Sequence, residues 1–162
     1  MPIHETAIVH PTAEIDPTAI VAAGVMVGFK AKIGRGSRVG VNSKIGDRSE
    51  IGDESVIGVE VKIGDRSKIG NLSVVGDNTQ IEVDVKIGIS TWIRPQVKIG
   101  RHTEIGNGGW VGFKSIIGAS NKIGDGYTIA DGIEIPANTV IPPLTELPAE
   151  EINTQYQSVN FR

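Results

Sequence analysis

Residues 45–63 read Ile45-Gly-Asp-Arg-Ser-Glu-Ile51-Gly-Asp-Glu-Ser-Val-Ile57-Gly-Val-Glu-Val-Lys-Ile63. An aliphatic residue returns every six positions, a small or β-branched residue stands two places before it, and glycine follows it. Extended in both directions, the aliphatic spacing holds without a slip. From Ile3 to Leu147 every sixth residue is Ile, Val or Leu, 25 in succession: 18 Ile, 6 Val and 1 Leu. A fixed short period is the mark of a solenoid, in which each repeat buries its apolar face only by stacking on its neighbours.

The position two residues before each aliphatic reads Ala7, Ala13, Ala19, Val25, Ala31, Ser37, Ser43, Ser49, Ser55, Val61, Ser67, Ser73, Thr79. On an extended chain residues i and i−2 share a side, so both point inward. The residue after the aliphatic is Gly in 15 of the 17 hexads between Gly28 and Gly124. Glycine there predicts a tight corner that needs either positive φ or a close backbone approach. Each hexad is therefore one short strand and one corner, rich in the β-branched residues that pleated geometry favours. Near the far end the inward residue becomes Tyr127 and then Ile133, which predicts a changed core there.

Composition narrows the function classes. The net charge of −3 gives no general pull toward nucleic acid or membrane. With no cysteine there is no disulfide framework and no thiolate chemistry. The start, Met1-Pro-Ile-His-Glu, lacks the basic region and apolar core of a signal peptide. No run of about 18 apolar residues is present. A soluble cytoplasmic protein is the expectation.

Here the chain resembles the hexapeptide-repeat superfamily, the acyltransferase-like left-handed parallel β-helices. The carrying residues are repeats such as Ile45-Gly-Asp-Arg-Ser-Glu and Ile63-Gly-Asp-Arg-Ser-Lys. The first repeats, Ile3-His-Glu-Thr-Ala-Ile-Val-His-Pro-Thr-Ala-Glu-Ile-Asp-Pro-Thr-Ala, look like the opening coils of UDP-N-acetylglucosamine acyltransferase-like proteins. The resemblance implies an all-β fold, three hexads per coil, a triangular prism and left-handed winding. Residues 1–147 would form about eight coils, roughly 40 Å long at ~4.8 Å per coil. Residues 148–162 break the period and form a short irregular C-terminal tail, expected to cover the open end or embrace a neighbour.

Sorting the residue before each aliphatic by eighteen separates three outer faces. The first shows Ile20, Arg38, Val56, Val74, Trp92, Trp110, Thr128; the second Ile8, Met26, Lys44, Lys62, Gln80, Lys98, Ile116; the third Glu14, Lys32, Glu50, Lys68, Lys86, Glu104, Lys122. The third is a charge ladder of small energetic weight. The first carries an apolar stripe from Val56 through Val74 and Trp92 to Trp110, with Val41, Val59, Leu72 and Phe113 at adjoining corners. An exposed stripe of this size marks an interaction site. With the resemblance it predicts a homotrimer joined through Val56, Val74, Trp92, Trp110 and Phe113.

Some members of the superfamily hold zinc with three histidines. Here His4 and His10 share the first coil, while His102 lies some five coils away. That is roughly 25 Å at ~4.8 Å per coil, against the ~2 Å of a zinc–nitrogen bond, so no metal site is expected. The resemblance instead implies acyl transfer from acyl-coenzyme A or acyl carrier protein to a sugar or nucleotide sugar at a subunit boundary, with no bound cofactor. His102 is the candidate general base. Arg94, Lys98 and Arg101 are candidates for a substrate phosphate, and Trp92 and Trp110 for stacking on a base or sugar. Gly118 and Ala119 are the small residues past which an acyl donor would run. The alternative is a non-catalytic trimeric β-solenoid, a scaffold or assembly subunit. Asp47-Arg48 and Asp65-Arg66 read as salt-bridged surface turns, and Lys44, Lys62 and Lys98 as a mild basic strip.

Overall fold

The computed structural model of the protein describes residues 2–149. Among them are 24 two-residue strands, one per hexad, from β1 (Ile8–Val9) to β24 (Glu146–Leu147), and no helix. The strands form three parallel eight-stranded sheets, each taking every third strand in chain order. Register is eighteen residues throughout: Val56↔Val74↔Trp92↔Trp110 on the first face, Lys62↔Gln80↔Lys98 on the second, Glu50↔Lys68↔Lys86 on the third. This is the all-β solenoid that the six-residue period predicts, with the three-sided coil and about eight turns that the family resemblance implies. No helix among the described residues is long and apolar enough to cross a membrane. The proposed C-terminal cap falls almost wholly on residues 150–162, outside the described ones.

The aliphatic of each hexad fills the axis of the prism. Ile45, Ile57, Ile93, Ile99 and Ile117 are all almost wholly buried, each worth about 1.5–3 kcal/mol of burial. Between them lie buried hydroxyls, and each buried serine is satisfied twice. Ser55 donates to the Gly70 carbonyl (2.9 Å) and accepts from the Ser73 amide (3.3 Å). Ser43 does the same with Gly58 and Val61, and Ser73 with Gly88 and Thr91. Serine suits this place because it is small and because a buried hydroxyl with both partners carries no desolvation debt.

The corners correct one expectation. The glycine after each aliphatic does not carry the positive φ. That conformation falls on the third residue after the aliphatic, at all 21 multiples of six from Gly24 to Leu144, and 16 of these are not glycine. Each is pinned by its amide, as Arg48 N–H donates to the Phe29 carbonyl at 2.7 Å. Glycine is instead required by close approach: a Cβ at Gly46 would lie 2.6 Å from the Asp65 amide nitrogen and the Gly64 carbonyl carbon. The same crowding explains the aspartates. Asp65 Oδ1 accepts the Asp47 amide, Asp47 Oδ1 the Phe29 amide and Asp53 Oδ1 the Arg35 amide. Asp47 and Asp65 therefore cap backbone rather than pairing with the arginines that follow them, and Arg66 pairs with Asp84 instead. In the first coil no corner residue takes positive φ. There His10 Nδ1 and Asp16 Oδ1 accept the amides of Thr12 and Thr18.

Tyr127 confirms the altered core. Its ring occupies the space that a side chain at Gly109 would need. The phenol is buried and its hydroxyl, which faces Thr91, makes no bond of acceptable geometry. Thr91 donates its own hydroxyl to the Gly106 carbonyl. Burial pushes the Tyr127 phenol well above its ordinary range.

Two outcomes follow from this packing. Gly46→Ala, which meets backbone, should lower the urea midpoint far more than Gly108→Ala, where φ is +63° but no atom lies within 4 Å. The second should cost only about 1–2 kcal/mol of strain. The reverse order would mean that glycine serves φ after all. For Tyr127, the folded state retains a proton that the unfolded chain releases above pH ~10. Stability should therefore fall as pH rises past 10, by up to about 1.4 kcal/mol per unit. Tyr127→Phe should remove that part of the slope, which urea titrations at pH 8 to 11 would measure.

Candidate functional site

Three outer faces mean three corners per coil, and the corners decide which candidate residues meet. Residues 94–96 turn from the first face to the second, 100–102 from the second to the third, and 106–108 from the third back to the first.

His102 sits at the second-to-third corner, in the position that takes positive φ, here 58°. Its amide donates to the Val83 carbonyl (3.1 Å), and its ring stands out from the prism, more than half exposed. One coil earlier, at the same corner position, is Asp84. His102 Nδ1 lies 3.6 Å from Asp84 Oδ2. One coil earlier again is Arg66, whose Nε and Nη2 donate to the two Asp84 oxygens at 2.7 Å each. The bidentate pair fixes the carboxylate plane. These hydrogen bonds hold the Asp84 carboxyl below the usual carboxylate range. The column Arg66, Asp84, His102 is thus an ordered set in which an ionised carboxylate faces Nδ1 and leaves Nε2 outward. The sequence offered a signal for it, because the three are spaced by eighteen, but Asp84 was not singled out.

Arg101 precedes His102, and its amide donates to Glu82 Oε2 at 2.9 Å. Glu82 is one of the two residues that replace the corner glycine. Gly118 and Ala119 lie one coil above Gly100 and Arg101, and Ser120 N–H bonds the Arg101 carbonyl (2.8 Å). The candidate base, one candidate cation and the small-residue track therefore meet at one corner.

The remaining candidates lie elsewhere. Trp92 and Trp110 are cross-strand neighbours on the first face, with rings stacked at 5.9 Å and 17°. They are 57% and 44% exposed, which leaves most of the aromatic surface open. Val56 is exposed beside them and Val74 half-buried. Arg94, at the first-to-second corner, places its guanidinium 5.8 Å from the Trp110 ring and 3.5 Å from Asp131 Oδ1. Asp131 is thus its ion-pair partner within the chain. Phe113 is half-buried at the same corner, with its amide on Asp131 Oδ1 and the Lys114 ammonium 5.1 Å from its ring. Lys98 projects from the second face. Leu72 and Ile89, exposed at the third-to-first corner, widen the apolar stripe. Ile89 was not anticipated, because the corner position it occupies is otherwise polar.

The third face carries the expected ladder: Lys32–Glu14 at 3.5 Å, Lys68–Glu50 at 3.2 Å and Lys86–Glu104 at 2.9 Å. Among the described residues no group of three or more His, Asp or Glu is placed to hold a metal ion. His4 and His10 are bound to Thr6 and Thr12 in the first coil.

Residues 2–88 match the model of a family described as the GMPPB C-terminal domain. The match ends before Trp92, so it speaks for the scaffold and not for the His102 corner. No curated protein matches the chain. Several solved structures do. A hexapeptide transferase family protein from Anaplasma phagocytophilum has a TM-score of 0.59 at 21% identity, covering 85% of this chain and 75% of its own. LpxA from Acinetobacter baumannii has a TM-score of 0.54 at 22% identity, with coverages of 88% and 69%. UDP-N-acetylglucosamine O-acyltransferase from Moraxella catarrhalis RH4 has 0.53 at 19%, with 87% and 67%. At these identities the likeness is one of fold: the parallel β-solenoid of hexapeptide repeats.

Proposed function

The chain belongs to the GMPPB C-terminal domain family, and from that premise and the His102–Asp84 pair we propose that it is an acyltransferase-like hexapeptide-repeat protein with its chemistry at the second-to-third corner. The pair is the observation that carries the reading. His102 Nε2 takes the proton of an acceptor hydroxyl or amine as that atom attacks an acyl thioester. The acyl–oxygen or acyl–nitrogen bond forms, the carbon–sulfur bond breaks, and the proton passes to the departing thiol. Asp84 stands beside Nδ1, and Arg66 holds Asp84 in place. Acyl-coenzyme A or acyl carrier protein is the donor, running past Gly118 and Ala119. A sugar or nucleotide sugar is the acceptor, its phosphate on Arg101. The names of the fold neighbours, a hexapeptide transferase and acyltransferases, support this class of reaction.

Trp92, Trp110 and Arg94 join such a site only across a subunit boundary, since in one chain they lie on another face. We therefore propose a homotrimer packed through the first face, where Val56, Val74, Trp92, Trp110 and Phe113 lie. The same stripe favours a second reading, a non-catalytic trimeric scaffold, because it is continuous with Leu72 and Ile89 while the His102 corner is open and shallow.

His102→Ala should lower turnover by roughly 10²–10⁴ and leave assembly intact. A thermal-shift series with acyl-coenzyme A and acyl carrier protein separates the readings, because only a ligand that binds the folded state raises the melting temperature. No shift with either donor would leave the scaffold. For the interface, Val74→Asp with Trp92→Asp should give monomers in sedimentation, since a buried unpaired carboxylate is costly. A wild-type monomer at micromolar concentration would remove the trimer.

A further inference from the structure

A hollow on the boundary between the first-to-second corner and the second face is lined by Asn78, Gln96, Lys98, Lys114 and Ile116. The repeat builds it. Asn78, Gln96 and Lys114 are the positive-φ residues of three successive coils, at 56°, 61° and 58°. They form one vertical column, and beside it stand Lys98 and Ile116, paired strand neighbours that point outward. Two lysines and two primary amides therefore line one hollow together with the aliphatic Ile116.

The charges in this hollow are not neutralised. Among the described residues neither Lys98 nor Lys114 makes an ion pair, whereas the third-face lysines 32, 68 and 86 are each paired with a glutamate. Of the acids nearby, Glu60 stands in the same column one coil below Asn78 and two below Gln96, and the others are engaged or further off. Asp77 Oδ1 accepts the Val59 amide, and Asp131 Oδ1 accepts the Phe113 amide and pairs with Arg94. Glu134 lies two rungs above Lys98, beyond Ile116. Phe113 holds the Lys114 ammonium against its ring at 5.1 Å, which limits how far that side chain wanders. A larger groove along the third face lacks this character, because its cations and anions alternate.

We propose that this hollow is an oxyanion site, taking the phosphate or pyrophosphate group of a small phosphorylated molecule. Lys98 and Lys114 supply charge on two sides, and Asn78 and Gln96 turn their NH₂ groups toward the same oxygens. Ile116 packs against whatever the phosphate carries. A phosphate or pyrophosphate carries more negative charge and more acceptor oxygens than a single carboxylate, which suits two ammonium groups standing beside two amide donors. The site does not rest on acyl transfer: a protein with no turnover would still bind the anion.

The test is titration calorimetry at about 0.15 M salt, where diffuse surface attraction is screened. The probes are inorganic phosphate, inorganic pyrophosphate and a nucleoside diphosphate. The comparison is between Lys98→Gln with Lys114→Gln and Lys44→Gln with Lys62→Gln, a second pair of outward lysines on the same strip. The wild type should bind pyrophosphate saturably. The first double variant should weaken it by about ten-fold or more, and the second by less than about two-fold. All four positions face solvent, so circular dichroism should stay unchanged. A nucleoside diphosphate tighter than pyrophosphate assigns the source to a nucleotide, and equal affinities assign it to the phosphate alone; both uphold the site. Equal weakening in the two double variants means diffuse charge and overturns it, as does a wild type that binds none of the three probes.

Discussion

The ladder between residues eighteen apart is what everything else in this molecule depends on. Each coil is too small to bury its own aliphatics, and its strands are two residues long. Stability therefore comes from what each coil does to the next. Main-chain bonds such as Lys62 N–H to the Thr79 carbonyl close the strands, and amides such as Arg48 N–H close the corners on the coil before. Inward serines both donate to and accept from the coil that follows. A solenoid of this kind behaves as a chain of nearest-neighbour interfaces. One inserted residue would turn every later side chain to a different place, because direction alternates with each residue.

That constraint explains a feature that looks unfavourable in isolation. Sixteen non-glycine residues sit at positive φ, each at a cost of about 1–2 kcal/mol for an L-residue. The corner geometry imposes this, and the amide of each such residue is bonded to the preceding coil. Since the side chain there points outward, its identity is free to vary. The places that carry steric cost are thus the ones open to chemical choice: Arg66, Asp84, His102, Asn78, Gln96 and Lys114 are all of this type. Glycine, by contrast, is spent where the next coil's backbone and its aspartate leave no room for a Cβ.

Much of the fold was legible because the period is long and unbroken. Inward aliphatics, inward small residues and the make-up of the three faces all follow from counting by six and by eighteen. The role of the corner glycine was read only in part, since sequence does not separate a steric need from a torsional one. The pairing of Asp65 with backbone rather than with Arg66 was also hidden, because the deciding contact is with an amide one coil away. For the site, His102 stands out as a candidate from its residue type and depth, whereas Asp84 does not, because a partner eighteen residues back shares no local motif with it. Arg94 looked free in sequence and is held by Asp131, again through a neighbouring coil.

A prism also limits what one subunit can assemble. Side chains on different faces point apart, so a catalytic group on one corner and aromatic rings on another face cannot converge within a chain that throws out no loops. Two routes remain. One is vertical: residues stacked at a single corner cooperate along the axis, as Arg66, Asp84 and His102 do, and as Asn78, Gln96 and Lys114 do at another corner. The other is lateral, through a neighbouring copy that brings its own face to the corner. Both columns are formed within one chain, so the proposed anion binding and the His102–Asp84 pairing would belong to the monomer. Enclosure from water does not, since every described corner is open. In the proposed trimer a dry, enclosed pocket would be completed by the first face of another copy, and this ties the apolar stripe at Trp92 and Trp110 to the question of activity.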